Sequence, residues 1–587
     1  MNKKMISFII GKILILEAGL MVLPLIISFL YNESAKYKIA YGSVIILLLA
    51  IGFLLSAKIP ENQRIQGREG YIIVSLSWIL MSIFGALPFV FTKEIPSFVD
   101  AFFEIVSGFT TTGSSIITDL SKISHSNLFW RSFTHFVGGM GVLVLALAIF
   151  PSSATSVHVM KAEVPGPTFG KLVSKLSTTA RMLYKIYIVM TIVLIILLMF
   201  GGLDLFESSL LAFGTAGTGG FGARNGSILP YNSPYIEVVL GIGMIVFGVN
   251  FNIYYFILIG KIKDVFKNEE LKYYLLIVFG AIVLIVLNIC KGYDSILHCI
   301  RDVFFSVSSV ITTTGYSTAD FGKWPLFSQV ILLILMFFGA CAGSTAGGLK
   351  ISRVVLMVKI YFAEIIQMIS PNRVVTIKYD DKPVNMKMQK SIAVYFLVYS
   401  LVFGGILLMV SYSTDDFMTA FSAVAATFNN IGPGLGKVGP AFSFAELNNF
   451  SKAIRDPIWK HIWMNDELYA VTKTDPFMRL YNIKQLGPAE LVYPGASHTR
   501  AGHSIGVYNI ALKMLNILLK KGADSWVSKE GAMSFLTAAL LHDLGHFPFT
   551  HSLKELKLKE HEELTGELIL KEPLRSAAAE TGADPEQ

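Results

Sequence analysis

Charge is what this chain has least of. Lysine, arginine, aspartate and glutamate make up 15% of its 587 residues, where a soluble globular chain carries about a quarter. Cysteine is scarcer still: Cys290, Cys299 and Cys341 are the full set, and they show no metal or redox spacing, which argues against a disulfide framework. The net charge of +8 is modest. It falls mostly in loops on one side of the apolar half, so it speaks to orientation and not to nucleic-acid binding. From Lys452 onward the chain also lacks any long apolar run and is rich in His, Lys, Glu and Asp. That shift in composition reads as a domain boundary.

Up to about Ser451 the chain is instead dominated by hydrocarbon. With 53% hydrophobic residues and a mean hydropathy of +0.59, the default class is an integral membrane protein. Runs able to cross about 30 Å of hydrocarbon fall near 7–29, 38–57, 71–92, 128–150, 181–201, 236–260, 273–291, 327–348 and 390–411. The first is flanked by Lys3 and Lys4 but is too long for a signal peptide and lacks a small-residue cleavage site, so it reads as a retained helix. Alternate connections carry the basic excess, for example Lys58, Arg64 and Arg68, or Lys261, Lys263 and Lys267. The N-terminus is then cytoplasmic, and the chain beyond the ninth span begins outside.

Four of the opposite connections hold a short apolar, aromatic-rich segment ending in small polar residues and glycine. They read DAFFEIVSGFTTTGSS, LFESSLLAFGTAGTGGF, RDVFFSVSSVITTTGYST and DDFMTAFSAVAATFNNIGPGLG. Their glycines, Gly113, Gly219, Gly315 and Gly432, are 106, 96 and 117 residues apart. Phe102, Phe304 and Phe421 each lie eleven positions before the glycine, and Thr112, Thr218 and Thr314 immediately before it. The second repeat departs at the aromatic, and the fourth has Ile431 in place of threonine. A single TTTG is usually a turn; four between spanning segments on one side make a repeat. Non-helical backbone at membrane depth survives only against protein or a water-filled path. A short helix pointing its carbonyl end at the axis favours a cation, and extended backbone after it can replace the ion's hydration shell with carbonyls.

These segments, together with WRSFTHFVGGMGVLVLALAIFP, FGVNFNIYYF, CAGSTAGGLKISR and ATFNNIGPGLGKVGP, resemble the Trk/Ktr/HKT superfamily of potassium transporters, specifically the bacterial Trk membrane subunit, over about residues 1–451. The resemblance implies a multi-pass protein of the bacterial inner (cell) membrane, a homodimer in the lipid bilayer with a cytosolic nucleotide-binding regulatory subunit. It implies potassium and rubidium in preference to sodium, with less discrimination than a potassium channel. By position it marks Thr111, Thr112 and Gly113; Gly217, Thr218 and Gly219; Thr313, Thr314 and Gly315; and Asn430, Ile431 and Gly432 as the selectivity filter. The expected domains are two N-terminal helices (1–70), pore repeats at 71–160, 161–265 and 266–385, and a partial fourth at 386–451 whose last helix is missing.

The run GACAGSTAGGLK at 339–350 puts many small residues inside a span, which means local unwinding or close packing. The resemblance makes it an intramembrane gating loop below the filter, with Gly343, Ser344, Gly347, Gly348 and Lys350 as gating residues. Lys350 is either an electrostatic barrier or a snorkelling cytoplasmic anchor. Arg131 and Asp302 either form a buried pair or cap the pore helices.

The last part of the chain reads AIRDPIWKHIWMNDELYAVTKTDPFMRLYNIKQLG, YPGASHTRAGHSIGVYNIALKML, AALLHDLGHFPFTHS and KEHEEL. Adjacent His542 and Asp543 on an apolar helix, with His503 upstream, suit a divalent transition metal, since imidazole and carboxylate both ligate such ions. This segment (452–570) resembles the HD-domain metal-dependent phosphohydrolases. The resemblance implies His503, His542 and Asp543 as metal ligands, His546, His551 and His561 as phosphate-contacting or catalytic groups, and Gln485 and Arg500 in a nucleotide pocket. Two departures count against hydrolysis. Ala501-Gly502 replaces a phenylalanine-glutamate pair, and no aspartate on a later helix follows, the tail 571–587 reading as disordered. The expected fold is therefore an all-α, polytopic pore of pseudo-fourfold helix–pore-loop–helix repeats followed by a soluble helical HD fragment. A fusion of two truncated genes and a natural bifunctional protein are both compatible with that join.

Overall fold

In the computed structural model the described residues are 1–62, 65–139, 141, 176–293, 295–412, 414, 416–440, 452–456, 460–464, 466–486, 492, 498–520, 527–546 and 559–583. They divide into two compact units, Met1–Ala445 and Glu446–Gln587. Both are helical, with two small antiparallel hairpins, Lys378–Tyr379 on Lys382–Pro383 and Lys452–Asp456 on Lys460–Met464.

In the first unit, six described helices are long and apolar enough to cross a membrane: Lys3–Leu30, Ala35–Ser56, Gly67–Phe91, Arg181–Phe200, Glu269–Gly292 and Met386–Ser411. Their outer faces expose large side chains such as Leu54 at 78%, Leu287 at 73% and Leu408 at 75%. Such a continuous apolar exterior is unfavourable in water and suits lipid. Met386–Ser411 packs least, burying only Ile392 and Phe403.

Two expected spans are broken. The run 236–260 is two helices, Pro234–Phe247 and Phe251–Leu258, bent by 89°. Asn250 accepts from Asn252 N and restarts the second helix in its new direction. The run 327–348 stops as a helix at Phe338 and resumes only with Ile351–Ile369, so the small-residue segment is unwound. The span expected at 128–150 is described as the helix His125–Gly139; residues 142–150 lie outside the described residues.

Four shorter helices, Phe98–Phe109, Leu205–Ala216, Ile296–Ile311 and Phe417–Phe428, each precede a filter segment. At 1.5 Å per residue, the three 12-residue helices and the 16-residue one reach about 18 and 24 Å, short of the ~30 Å of hydrocarbon. Three begin at side-chain caps: Ser97 accepts from Asp100 N, Asp204 from Glu207 N, and Asp416 from Met418 N and Thr419 N.

The second unit has its own core, in which Ile462, Phe477, Leu480, Leu540, Leu544 and Leu574 are buried. The tail expected to be disordered is partly a helix, Leu574–Glu580, because Leu574 and Ala578 turn inward together, four residues apart.

Candidate functional site

Each pore helix ends in the same way. Its C-cap is Thr110, Gly217, Thr312 or Asn429, and the next residue takes a left-handed conformation, with φ of 57° at Thr111, 53° at Thr218, 57° at Thr313 and 59° at Asn430. The following N–H then reaches back to the helix: Thr112 N to Ser107 O, Gly219 N to Gly214 O, Thr314 N to Ser309 O and Ile431 N to Ala426 O, all at 2.8 to 2.9 Å. One residue later comes a glycine at positive φ: Gly113 (77°), Gly220 (76°), Gly315 (87°) and Gly432 (94°).

This corrects the second repeat by one position. The sequence register pairs Gly219 with the other filter glycines, whereas the structure puts Gly220 there, Gly219 in the place of Thr112, and Gly217 at the helix cap. Two adjacent glycines made the register ambiguous, and no aromatic marks it, since Ser208 and Ser209 stand eleven residues before Gly219 and Gly220.

The four segments close into a ring. A Cβ on Gly113 would stand 2.0 Å from Gly219 O, on Gly220 1.9 Å from Thr314 O, on Gly315 2.0 Å from Ile431 O, and on Gly432 3.0 Å from Thr112 O. Each glycine thus lies against the carbonyl of the next repeat, in cyclic order, with the fourth returning to the first. Side chains fix the geometry from behind. Thr112 Oγ1 donates to Asn430 Oδ1 at 3.0 Å, and Thr312 and Thr314 share a hydroxyl contact of 2.8 Å. Tyr399 OH donates to Asn429 Oδ1 at 2.5 Å.

The unwound segment 339–350 sits directly beneath. Gly347 N donates to Thr313 Oγ1 at 2.6 Å, and a Cβ there would be 2.3 Å from Asn429 O. The segment also docks on the 89° bend: Cys341 N donates to Gly248 O and Phe251 N to Gly343 O, both at 3.1 Å. Ser344 Oγ donates to Cys341 O at 2.6 Å, and Gly348, at φ 73°, packs on Gly339. Lys350 is 1% exposed and its ammonium donates to Ala346 O. It is folded back on its own loop and is not a snorkelling anchor.

On the other side of the ring a recess of about 180 Å³ is lined by Gly113, Gly220, Gly315 and Gly432 together with Arg131 and Arg224. Arg131 does not pair with Asp302. Its Nε donates to Glu104 Oε1 at 2.6 Å, both groups being buried, and its guanidinium lies 3.5 Å from the Phe221 ring centroid. Glu104 also accepts from Ser115 Oγ and Ile116 N at 3.0 Å, tying the segment after the first filter glycine to its pore helix. Asp302 accepts from Tyr293 OH at 3.1 Å and faces His298 Nε2 at 3.5 Å. Glu104 was legible only as an acidic residue in an apolar helix.

In the second unit, ligand atoms of His503, His542 and Asp543 lie within 4.8 Å of one another. His503 and Arg500 come from the helix Arg500–Lys520, while His542 and Asp543 follow Lys529–Leu541. Arg500 Nη1 donates to Asp543 Oδ2 at 2.9 Å, and His546 Nδ1 is 3.4 Å from Asp543 Oδ1. The His546 and His561 rings are 4.0 Å apart. Gln485 N donates to His498 O at 3.0 Å, two residues before Arg500. His551 lies outside the described residues. Burial pushes the His503 imidazole down, which keeps it neutral as a ligand must be. Burial works against the Asp543 carboxylate, but the Arg500 guanidinium and the two neighbouring histidines outweigh it and hold its pKa below the usual range. The donor set fits a divalent transition metal, with three protein ligands.

Comparison with known proteins agrees with this division. The family model for the cation transport protein TrkH matches residues 38–455, and that for the HD domain matches residues 500–582. The Trk system potassium uptake protein TrkH of Escherichia coli (strain K12) is 35% identical over 463 residues, covering 77% of this chain and 95% of that protein. The Trk system potassium uptake protein TrkG of the same organism is 32% identical over 460 residues, covering 77% and 93%. The crystal structure of the potassium transporter TrkH from Vibrio parahaemolyticus superposes with a TM-score of 0.68 at 30% identity, covering 76% of this chain and 93% of that one. With the family model spanning most of the chain and the relatives matched over nearly their whole length, the chain belongs to the TrkH family of cation transport proteins.

Proposed function

We propose that the chain carries potassium ions into the cell across the bacterial inner membrane through the ring of Thr112, Gly219, Thr314 and Ile431 carbonyls. The observation that carries this reading is the cyclic packing of each filter glycine on the carbonyl of the next repeat. It brings four backbone oxygens to one level, where they can stand in for an ion's water shell. Thr111, Thr112 and Gly113, Thr218, Gly219 and Gly220, Thr313, Thr314 and Gly315, and Asn430, Ile431 and Gly432 form the filter. The segment 339–350 is the gate, because its Gly347 is bonded to filter residue Thr313. Family resemblance supports a homodimer controlled by a cytosolic nucleotide-binding subunit.

A host deficient in potassium uptake, made to express this chain, tests the reading. Growth at low potassium and rubidium uptake are expected, both lost on Gly315→Ser. Absence of rubidium uptake by a membrane-inserted chain would end it.

The second unit supports a further reading, resting on the three convergent donors His503, His542 and Asp543: it binds a divalent transition metal. A bound metal would supply an activated water. Arg500 shares the Asp543 carboxylate with that site, and His546 and His561 lie beside it. Metal-dependent phosphate release lost on His542→Ala would establish hydrolysis; binding without turnover would leave a metal site alone.

A further inference from the structure

The gating segment is held at both ends by one atom. Glu270 is the second residue of the helix Glu269–Ile289 and is 3% exposed. Its Oε1 accepts from Ala342 N at 2.6 Å and from Ser352 N at 3.1 Å. Ala342 lies just past the end of the helix Leu326–Phe338, and Ser352 is the second residue of Ile351–Ile369. The segment between them includes Gly343, Ser344, Gly347, Gly348 and Lys350. Ser352 N is one of the amides that a helix start leaves without an internal partner, and a carboxylate is favoured there by the dipole. Glu270 therefore caps the helix from another element while gripping the far side of the loop.

The same helix end also restrains the helix and hairpin beyond the loop. Glu269 pairs with Lys359 at 2.5 Å, and Lys359 donates to Lys378 O at 2.9 Å. Asp380, in the hairpin, accepts from Glu269 N at 2.8 Å. Movement of Ile351–Ile369 would thus pull on Glu269 through Lys359 and on Glu270 through Ser352. Among the described residues the hydrogen bonds of the Glu270 carboxylate go to Ala342 and Ser352 and not to the filter, so its influence runs through the loop.

We propose that Glu270 is the latch of the gate, a positioning residue whose carboxylate holds both ends of the 339–350 loop under the filter until a displacement of Ile351–Ile369 releases them. This rests on reading that loop as the gate. Hydrogen bonds to a buried charge are among the stronger ones, and removing the acceptor leaves two buried amides unpaired. Glu270→Ala should therefore free the loop, whereas Glu270→Gln keeps an oxygen for the amides but no charge and should free it less.

Cys341 supplies the reporter, being buried within the loop. With Cys290→Ala and Cys299→Ala it is the sole thiol of the full chain. In membrane vesicles, Glu270→Ala is expected to speed N-ethylmaleimide labelling of Cys341 and basal rubidium flux by about tenfold each. The rubidium concentration giving half-maximal flux should stay that of the parent. Glu270→Gln is expected to raise both by less. Labelling at the parent rate in Glu270→Ala overturns the latch. If that variant does not reach the membrane, parent-rate labelling in Glu270→Gln overturns it. A changed half-saturation would also do so, since the residue would then be acting on the filter. Faster labelling in a chain that carries no rubidium in any form upholds the latch and sinks the conduction reading.

Discussion

Among the described residues, each unit buries one arginine against one carboxylate, and the two pairs serve opposite ends. In the pore unit, Arg131 and Glu104 are closed off: Glu104 also accepts from Ser115 and Ile116, and Arg131 lies on Phe221. In the HD unit, Asp543 holds Arg500 but also faces His503, His542 and His546. The first carboxylate has its partners fixed and acts as scaffold for the recess beside the filter ring. The second is surrounded by groups able to ligate, so its pairing with arginine competes with another use. Burial and charge are alike in the two places; what differs is whether the remaining acceptor capacity is spent.

The largest expected effect tests the pore ring itself. Gly220→Ala should reduce rubidium uptake to background, because its φ is 76° and the Cβ would meet Thr314 O at 1.9 Å. Neither obstacle is a side chain that can move. Gly219→Ala should also lose uptake, but there the obstacle is the His135 ring at 2.4 Å. Adding His135→Ala should restore most uptake to Gly219→Ala and none to Gly220→Ala. Rescue of both, measured as initial rubidium uptake, would return the filter register to Gly219.

That one-residue correction shows what the sequence could and could not tell. Four glycine segments at similar spacing announced a pore, because period and hydropathy are local properties that repeat. The choice between Gly219 and Gly220 depends on how the chain folds back on Gly214 and on the neighbouring repeat, which neither glycine encodes alone. The 89° break was hidden for a related reason. The run 236–260 is apolar throughout, and its bend is fixed by Asn250 and by Gly248 O receiving Cys341 N from a distant loop. Glu104 was missed as the partner of Arg131 because the pair joins two different helices, Phe98–Phe109 and His125–Gly139, and no local pattern marks it. In the HD half the cluster was legible from His542-Asp543 and His503, while the helix Leu574–Glu580 was not, its alanine-rich polar sequence burying only two side chains.

The scaffold side of the comparison breaks most directly at Glu104. Glu104→Ala leaves the Arg131 charge buried and unpaired, which costs about 3–5 kcal/mol. The apparent melting temperature of the pore unit in detergent should fall sharply. The double substitution Glu104→Gln with Arg131→Met removes both charges and should recover much of that loss. Equal destabilisation by the single and the double would mean that the charges are not what the network is built on.

A smaller effect belongs to the HD core. Leu574 is fully buried against that core, so Leu574→Ala should destabilise the HD unit by about 2–5 kcal/mol, read as a lower denaturant midpoint by tryptophan fluorescence with the pore transition unmoved. An unchanged midpoint would return residues 574–580 to the disordered tail expected from their composition.

The smallest effect is the most informative about the second arginine. Arg500 places a guanidinium 2.9 Å from Asp543 Oδ2, so a metal ion approaching His503, His542 and Asp543 meets a like charge and a partly occupied carboxylate. Removing that charge should tighten zinc binding to the full chain by about tenfold, the order of effect expected for one nearby charge in a part-buried site. Its backbone bond to Ile483 O survives the substitution, so the local backbone pairing is kept. Titration calorimetry of Arg500→Ala, with His542→Ala as the variant that loses the site, reads the sign directly. Tighter binding would mean that arginine occupies Asp543 at the metal's expense. Weaker binding would mean that it aims the carboxylate, and the two arginine–carboxylate pairs would then both be scaffold.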